Sequence, residues 1–252
     1  MSSALKKLRR TISGSGMTKR AVPPVLIVLP HREDSRTQQQ TSAYITRAIV
    51  RRIAECQPLP SKMPELARNH AIADFLHNHP KKTHIFFQDD DSTPVDVFTI
   101  EMLLRHKKPV VCGVTPVWRH AKNLKNFSLL WSAVILKPDG KMDNIGVDEL
   151  PAGLFKAHRT GGTCLLIERK VLEKIEPPYQ KNTFNDIYTD VTLSEDMYFS
   201  DKIREAGFDI WCDPKVVCHH FHSLDILDVF EVAIQAKRMG YEQAEKDYKI
   251  QI

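Results

Sequence analysis

Three short segments in the first half of the chain are almost continuously apolar. They are residues 25–30 (VLIVLP), 83–88 (THIFFQ) and 109–116 (PVVCGVTP). Apolar runs of this length, bounded by proline or polar residues, are typical of strands that are buried on both faces of a parallel sheet. The pattern therefore predicts three buried strands in this half of the chain.

Helical segments separate these strands. Residues 37–55 predict a helix followed by a strand, although periodicity does not place the boundary between them, and residues 64–79 predict a helix with Pro64 in its first turn. The segment that begins at Ser92 predicts another helix, with Ser92 as its N-cap and basic residues at its far end, where the helix dipole favours them. Strands that alternate with helices in this way predict an α/β fold with a mostly parallel sheet.

The second half of the chain has a more mixed pattern. Residues 127–146 predict strands around a Pro-Asp-Gly turn, and residues 160–175 predict a loop, a strand and a helix. Residues 194–208 predict a helix that is capped by its first residue, a serine. Residues 209–221 predict two short strands, and a helix ends the chain.

The net charge of +5 comes from the N-terminus of the chain. Residues 1–22 hold six basic residues and no acidic one, so the other 230 residues carry a net charge of about −1. A basic tail attracts phosphate groups or anionic lipid, while a solvated, poorly ordered terminus is the more common structural reading of such a segment. The folded body itself is close to neutral.

Cysteine usage and hydropathy indicate a cellular location. The five cysteines are odd in number and form no CxxC pair, which favours a reducing compartment over a disulfide framework or a zinc ribbon. No segment approaches the ~20 apolar residues that span a bilayer, and the N-terminus lacks the apolar core and cleavage site of a secretory signal. We therefore expect a cytoplasmic protein without a transmembrane segment, located in the host cytoplasm if the chain is viral.

Three consecutive aspartates, Asp89, Asp90 and Asp91, follow the second apolar run. Ligands of open parallel sheets bind beyond the carboxyl ends of the strands, and a D-x-D pair at such an end can hold Mg²⁺ or Mn²⁺ through carboxylate oxygens. A solvated loop, or a cap for the following helix, explains the same residues without a metal. Their position at a strand end favours the metal site.

Two later groups of residues could complete such a site. Glu195 and Asp196, at a predicted helix N-terminus, are either candidates for a general base or acids that the helix dipole favours there. The segment CHHFH holds His219, His220 and His222, of which the first two point to opposite faces of a strand. One imidazole can complete a carboxylate-bound metal site, and surface histidines are the alternative.

Two further pairs of residues mark the predicted ligand side of the sheet. Gly161 and Gly162 precede a strand and indicate a turn or a close backbone approach. They are not a phosphate-binding loop, because neither GxGxxG nor GxxxxGK[ST] occurs in the chain. Arg68 and Asn69 place a cation and an amide on a predicted helix near this side, and an exposed arginine without a partner is the alternative.

The order of these motifs resembles that of the GT-A glycosyltransferases, especially family-two-like enzymes and the compact versions common among bacteriophage proteins. The segments that carry the resemblance lie between residues 24 and 222 and are VLIVLPHR, ARN, HIFFQDDD, TGGTCLLIERKVLEKI, SEDMYFSDKIREAGFDIWCDP and CHH. The resemblance implies a GT-A (Rossmann-like) fold, in which a mostly parallel sheet flanked by helices is followed by a mixed acceptor half. It also implies a catalytic domain (23–222) with a nucleotide-binding half (23–118) and an acceptor half (119–222). Together with the charge and apolar patterns, this gives a layout in which a flexible basic tail (1–22) precedes that domain and a C-terminal helix (223–252) packs on it.

The resemblance further implies a donor site. A nucleotide-sugar donor, expected to be a UDP-sugar, would bind through its nucleoside to Pro30, His31, Arg32, Arg68 and Asn69. The D-x-D motif would bind the ribose and Mn²⁺ or Mg²⁺ through Asp89 and Asp91, with Asp90 beside them because the triple run leaves the register open. The metal histidine would be His220.

In the acceptor half, the resemblance implies that Asp196 is the base that deprotonates an acceptor hydroxyl, with Glu195 as its substitute. Gly161, Gly162 and Trp118 would contact the substrate. A metal that neutralises charge on the leaving diphosphate and a base near the anomeric carbon together describe an inverting displacement. Similar folds also host retaining enzymes.

The acceptor and the reaction class stay open at this point. Compact phage-type relatives include enzymes that glycosylate hydroxymethylated pyrimidines in DNA, and the basic tail would help to hold a polyanion. A cell-surface glycan or a small alcohol is equally compatible with a near-neutral body. A nucleotidyltransferase is a second enzyme class, although it usually has a glycine- and basic-rich loop after the first strand, and a non-catalytic binding protein is a third possibility. The sugar and the oligomeric state do not follow from the sequence.

Overall fold

The computed structural model describes residues 24–31, 37–60, 63–120, 127–186 and 191–221, together with residues 234, 237, 238 and 240. The chain divides into two compact units, Met1–His220 and Phe221–Ile252. The predicted basic tail and nearly all of the predicted C-terminal helix lie outside the described residues. The fold that positions the candidate site belongs to the first unit.

The described part of the first unit contains thirteen strands and five α-helices. The strands are β1 (Val25–His31), β2 (Ala54–Pro60), β3 (His84–Phe87), β4 (Ser92–Pro94), β5 (Val110–Val114), β6 (Pro116–His120), β7 (Phe127–Leu136), β8 (Met142–Gly146), β9 (Phe155–Ala157), β10 (Leu165–Glu168), β11 (Thr183–Phe184), β12 (Val191–Leu193) and β13 (Ile210–His220). The helices are α1 (Gln39–Val50), α2 (Pro64–Asn78), α3 (Thr99–Arg105), α4 (Arg169–Leu172) and α5 (Glu195–Glu205). None of the described helices is long and apolar enough to cross a membrane.

Eight of these strands form the central sheet, in the order β2-β1-β3-β10-β5-β13-β4, with β9 also paired to β13. Strands β1, β2, β3, β5 and β13 run in one direction, while β10, β9 and β4 pair antiparallel with their neighbours. The predicted α/β fold with a mostly parallel sheet is therefore confirmed. The three predicted buried strands correspond to β1, β3 and β5, and their carboxyl ends meet at one edge of the sheet.

Helices cover both faces of this sheet because its strands are apolar on both sides. In β3, Ile85 and Phe87 pack with one layer and Phe86 with the other, as alternating strand residues must. The first layer contains the apolar faces of α2, α4 and α5, and the second contains those of α1 and α3. The helix predicted in the first part of residues 37–55 is confirmed as α1, and the strand predicted to follow it is β2. The helix predicted at 64–79 is confirmed as α2, with proline in its first turn.

Smaller antiparallel sheets follow in the second half. Strands β6, β7 and β8 form a three-stranded sheet, and β11 pairs with β12. The predicted Pro-Asp-Gly turn connects β7 with β8, and Gly140 adopts a φ of 82° there, a conformation that glycine reaches without strain. The mixed character that the sequence predicts for this half is confirmed.

Two predictions of local structure are wrong. Ser92 does not cap a helix: it begins strand β4, and its buried hydroxyl lies 2.7 Å from Gln88 Nε2 and 2.6 Å from Thr163 Oγ1. Helix α3 begins at Thr99 instead. Residues 209–221 do not form two strands but the single strand β13, whose register against β5 shifts between Cys212 and Val217. The proline within that interval has no N–H to donate to the ladder, which explains the irregularity.

Candidate active site

A cleft of about 290 Å³ lies at the carboxyl ends of β1 and β3. Its lining contains nine of the site residues predicted from the sequence, together with Pro64, which was not predicted as a site residue. The ten residues are Pro30, His31, Pro64, Arg68, Asp89, Asp90, Asp91, Glu195, Asp196 and His220. The fold thus brings together residues that lie as far apart in the chain as β1 and the end of β13.

Arg68 is the buried centre of this cleft. Helix α2 directs its guanidinium towards three carboxylates: Nη2 donates to Asp89 Oδ1 at 2.7 Å, and Nη1 donates to Asp196 Oδ1 at 2.5 Å and to Glu195 Oε1 at 3.2 Å. Only 4% of Arg68 is exposed. Burial lowers the pKa of Arg68, but the neighbouring carboxylates outweigh this effect and raise it well above its ordinary value. Arg68 is therefore a permanent cation that joins the D-x-D segment to the Glu-Asp pair.

Gly162 makes room for this arrangement. A Cβ atom on Gly162 would lie 2.6 Å from Arg68 Cζ and Nη1, and closer still to Asp196 Oδ1. Carbon atoms in real side chains do not approach other groups so closely, so any larger residue would displace the arginine or the carboxylate. The structure thereby explains the close backbone approach that the Gly161-Gly162 pair predicted.

Glu195 and Asp196 begin helix α5 beside Arg68. Ser194 occupies the N-cap position as predicted, but its side chain makes no capping hydrogen bond. The backbone N–H of Glu195 instead donates to Asn182 Oδ1 at 3.1 Å. Burial raises the pKa of both carboxyl groups, and Arg68 opposes that rise. A carboxyl group with a raised pKa is a stronger proton acceptor than an ordinary one, which makes both residues candidates for a general base.

Asp91 and His220 form the other side of the cleft. His220 Nδ1 donates to the carbonyl oxygen of Pro116 at 2.9 Å, which orients the ring, and Nε2 lies 3.7 Å from Asp91 Oδ2. The interaction with Asp91 raises the pKa of His220 against the effect of burial. The neighbouring His219 is exposed, and His222 lies outside the described residues. The structure therefore brings His220 to the cleft and leaves His219 on the surface.

The separation of these two side chains would allow them to share a divalent cation. A neutral His220 would direct the lone pair of Nε2 at the carboxylate of Asp91, and only a proton or a cation between them removes that repulsion. Ligand distances of 2.0–2.1 Å for Mg²⁺ let two donors up to about 4.2 Å apart share one ion. Across the described part of the chain, no group of three or more His, Cys, Asp or Glu side chains is arranged as a complete metal site. Water and substrate phosphates, which Mg²⁺ commonly retains as ligands, would have to supply the remaining positions.

Two other predicted site residues, Asn69 and Gly161, do not line the cleft. The side chain of Asn69 joins α2 to the segment before β11, donating to the carbonyl of Gln180 and accepting from the N–H groups of Tyr179 and Gln180. Gly161 packs against Ser132 and does not line the cleft. Arg32 and the side chain of Trp118 lie outside the described residues.

Sequence reasoning missed two residues of this region. Pro64 lines the cleft, although the sequence identified it only as a helix-starting residue. Asn182 holds the first N–H of α5, and no signal in the sequence indicated that role.

Comparisons with known proteins give only likenesses of fold. No protein-family model matches the chain, and no curated protein sequence matches it. The crystal structure of A197 from STIV is similar with a TM-score of 0.49 and 21% sequence identity, over 79% of this chain and 86% of that one. The crystal structure of GalNAc-T7 with UDP, GalNAc and Mn²⁺ has a TM-score of 0.49 and 8% identity over 82% of this chain, which spans 45% of the GalNAc-T7 chain. Any functional conclusion therefore rests on the geometry of the cleft.

Proposed function

We propose that the chain is a metal-dependent GT-A glycosyltransferase that moves a sugar from a nucleotide-sugar donor to an acceptor hydroxyl. The observation that carries this proposal is the gathering of the D-x-D segment, the Glu-Asp pair and His220 in one cleft at the carboxyl edge of the sheet. That edge is where open α/β sheets bind their ligands. The cleft combines a candidate metal site with a candidate base, which are the two functions that such a transfer needs.

The charge of the cleft supports the dependence on a metal. Five carboxylates and one arginine line it, which gives a formal charge of −4 when its histidines are neutral. A nucleoside diphosphate is itself an anion, so it would be repelled from this cleft without additional positive charge. Asp91 and His220 would hold Mn²⁺ or Mg²⁺, with Asp89 and Asp90 adjacent. When bound, the ion supplies the positive charge that stabilises the leaving diphosphate.

Asp196 is the proposed base for the acceptor hydroxyl. Its Oδ1 atom is held by Arg68 at 2.5 Å, so the carboxylate has a fixed orientation before any substrate binds. Burial raises its pKa, which brings its proton affinity nearer to that required at neutral pH. Glu195 is held by the same guanidinium and is the alternative base. A base acting directly on the attacking hydroxyl is expected to give inversion at the anomeric carbon.

For the acceptor we propose a hydroxymethylated pyrimidine in DNA. The basic residues among 1–22 support this choice, because a cluster of cations increases affinity for a polyanion. A cell-surface glycan or a small alcohol is the alternative.

Ligand binding tests the donor site. We expect a UDP-sugar to raise the melting temperature in the presence of Mn²⁺ and not in its absence, and GDP- and CDP-sugars show whether the base is selected. Asp91→Asn should abolish this metal-dependent shift, whereas Asp209→Asn, which alters an exposed ion pair with Lys156, should preserve it. If no nucleotide sugar stabilises the wild-type protein at any Mn²⁺ concentration, the glycosyltransferase proposal is wrong.

Product analysis tests the acceptor. Hydroxymethylcytosine or hydroxymethyluracil DNA is incubated with the protein, Mn²⁺ and the bound nucleotide sugar, then digested to nucleosides for mass spectrometry. A hexose or pentose adduct on the modified nucleoside supports the DNA acceptor. Its absence, together with a donor that binds, would redirect the search to glycans and small alcohols.

A further inference from the structure

A cluster of polar side chains lies buried directly beneath the aspartates. Gln88 and Ser92 are 0% exposed and Thr163 is 8% exposed, although all three lie at strand ends within an apolar sheet. Burying amide and hydroxyl groups is unfavourable unless they form hydrogen bonds. The burial of these three polar side chains is explained by the hydrogen bonds that they form.

The three side chains form one connected network. The hydroxyls of Ser92 and Thr163 lie 2.6 Å apart, and Gln88 Nε2 donates to Ser92 Oγ at 2.7 Å and to the carbonyl oxygen of Ser92 at 2.8 Å. The backbone N–H of Asp89 donates to Thr163 Oγ1 at 3.1 Å. Thr163 thus holds Asp89, the first aspartate of the segment. Gln88 holds Ser92, the residue directly after Asp91.

The same network reaches the histidine side of the cleft through the sheet. Strand β4 pairs antiparallel with β13, and in this register Ser92 is the partner of His220. Asp91 is bonded covalently to Ser92. A shift of Ser92 would therefore change the separation of Asp91 and His220, whose side-chain atoms Oδ2 and Nε2 are 3.7 Å apart.

Fold stability does not explain the network well. Gln88 Oε1 is buried and has no hydrogen-bond partner among the described residues, so the network leaves one acceptor unsatisfied. An unsatisfied buried acceptor is destabilising, and replacing both partners of a buried hydrogen bond by apolar groups of the same shape is often nearly neutral. Three apolar residues at these positions would serve the core at least as well. What they would not supply is the hydrogen bond to the backbone of Asp89 and the fixed position of Ser92.

We propose that Gln88, Ser92 and Thr163 are positioning residues that fix Asp89–Asp91 relative to His220 and thereby set the affinity of the cleft for a divalent cation. This inference rests on the metal site of the proposed function. The three residues touch neither substrate nor cation themselves. They act through the backbone of Asp89 and through strand β4.

Direct Mn²⁺ binding to the purified full chain, measured by calorimetry without nucleotide, tests the proposal. Thr163→Val keeps the shape of the side chain and removes the hydroxyl, and it should weaken Mn²⁺ binding by about 10-fold or more, the usual effect of losing a group that orients metal ligands. Thr163→Ser keeps the hydroxyl and should retain affinity close to that of the wild type. Thr83→Val is the matched control, since the hydroxyl of Thr83 bonds to Pro24 O at the opposite end of β3.

Urea denaturation of the same variants distinguishes positioning from a structural role. The inference expects Thr163→Val to stay fully folded in the absence of urea while it loses Mn²⁺ affinity. Its denaturation midpoint should decrease only modestly, because the N–H of Asp89 and the hydroxyl of Ser92 lose one partner. Wild-type Mn²⁺ affinity in Thr163→Val would overturn it, as would an equal loss in Thr163→Ser. A wild-type protein that binds no Mn²⁺ would overturn the proposed metal site together with this inference. A wild-type protein that binds Mn²⁺, with unchanged affinity in Thr163→Val, would overturn this inference alone.

Discussion

Removing the charge of Arg68 tests how the cleft is held together. In Arg68→Met the aliphatic part of the side chain is kept, but Asp89, Glu195 and Asp196 lose the cation that lies 2.5–3.2 Å from them. Breaking a buried ion pair by removing one partner typically costs about 3–5 kcal/mol, because an uncompensated charge remains buried. These carboxylate side chains are 18–28% exposed, so water screens part of the repulsion. We therefore expect the lower end of that range, about 3 kcal/mol of unfolding free energy.

Urea denaturation at neutral pH without divalent cations measures this loss, and an unchanged m-value shows that the denatured states are comparable. Arg51→Met is the matched control, because Arg51 pairs with the single carboxylate Glu101 and both side chains are more than 20% exposed. This control should lose only about 1 kcal/mol. Adding Asp196→Asn to Arg68→Met should recover part of the loss by removing one of the repelling carboxylates. Equal losses in Arg68→Met and Arg51→Met would refute the reasoning.

Three further variants test other parts of the structure. Gly162→Ala should lower stability by about 1–3 kcal/mol in thermal or urea denaturation because its Cβ has no room, whereas Gly153→Ala, with no atom within 4 Å of its Cβ, should be nearly neutral. His220→Ala should weaken Mn²⁺ binding by at least about tenfold in calorimetry, while alanine at the exposed His219 should leave it unchanged. For Asp74, a hydrogen bond from the amide one turn later in its helix lowers the pKa below its ordinary value of 3.8. That carboxylate therefore stabilises the fold above pH 3.8 and loses the effect as the pH falls through the lowered pKa. The difference in unfolding free energy between wild type and Asp74→Asn, measured by urea denaturation, should shrink as the pH falls below 3.8. A difference independent of pH would contradict the lowered pKa of Asp74.

Much of the candidate site was predictable because strand ends have a simple geometry. An apolar run that is buried on both faces must lie inside a sheet, and the residues that follow it must lie at the edge of that sheet. This is why Asp89–Asp91 could be assigned to a ligand-binding edge from the sequence alone. Glu195 and Asp196 were likewise identifiable as the first turn of a helix, although nothing in their spacing showed that the helix began beside the aspartates.

The pairing of individual side chains was not predictable. The three aspartates are identical in sequence terms, yet Asp89 bonds to Arg68 and Asp91 faces His220. Ser92 matched the signature of a helix cap, and its hydroxyl instead joined a buried network. A local signature describes what a residue can bond to, and the nearest available partner in the folded chain decides which bond is made.

The sequence by itself determined the three buried strands β1, β3 and β5, most of the helices and the edge of the sheet where the acids gather, because burial and helical or strand periodicity are properties of short segments. The direction and neighbours of the strands were decided by the tertiary structure. An apolar run such as Leu165–Glu168 reads the same in a parallel and an antiparallel strand. Its antiparallel insertion between β3 and β5 is what places Gly162 beside Arg68 and Thr163 beside Asp89. Contacts between residues far apart in the chain select that arrangement. They decide which side chains fill the core and which carboxylates pair with Arg68.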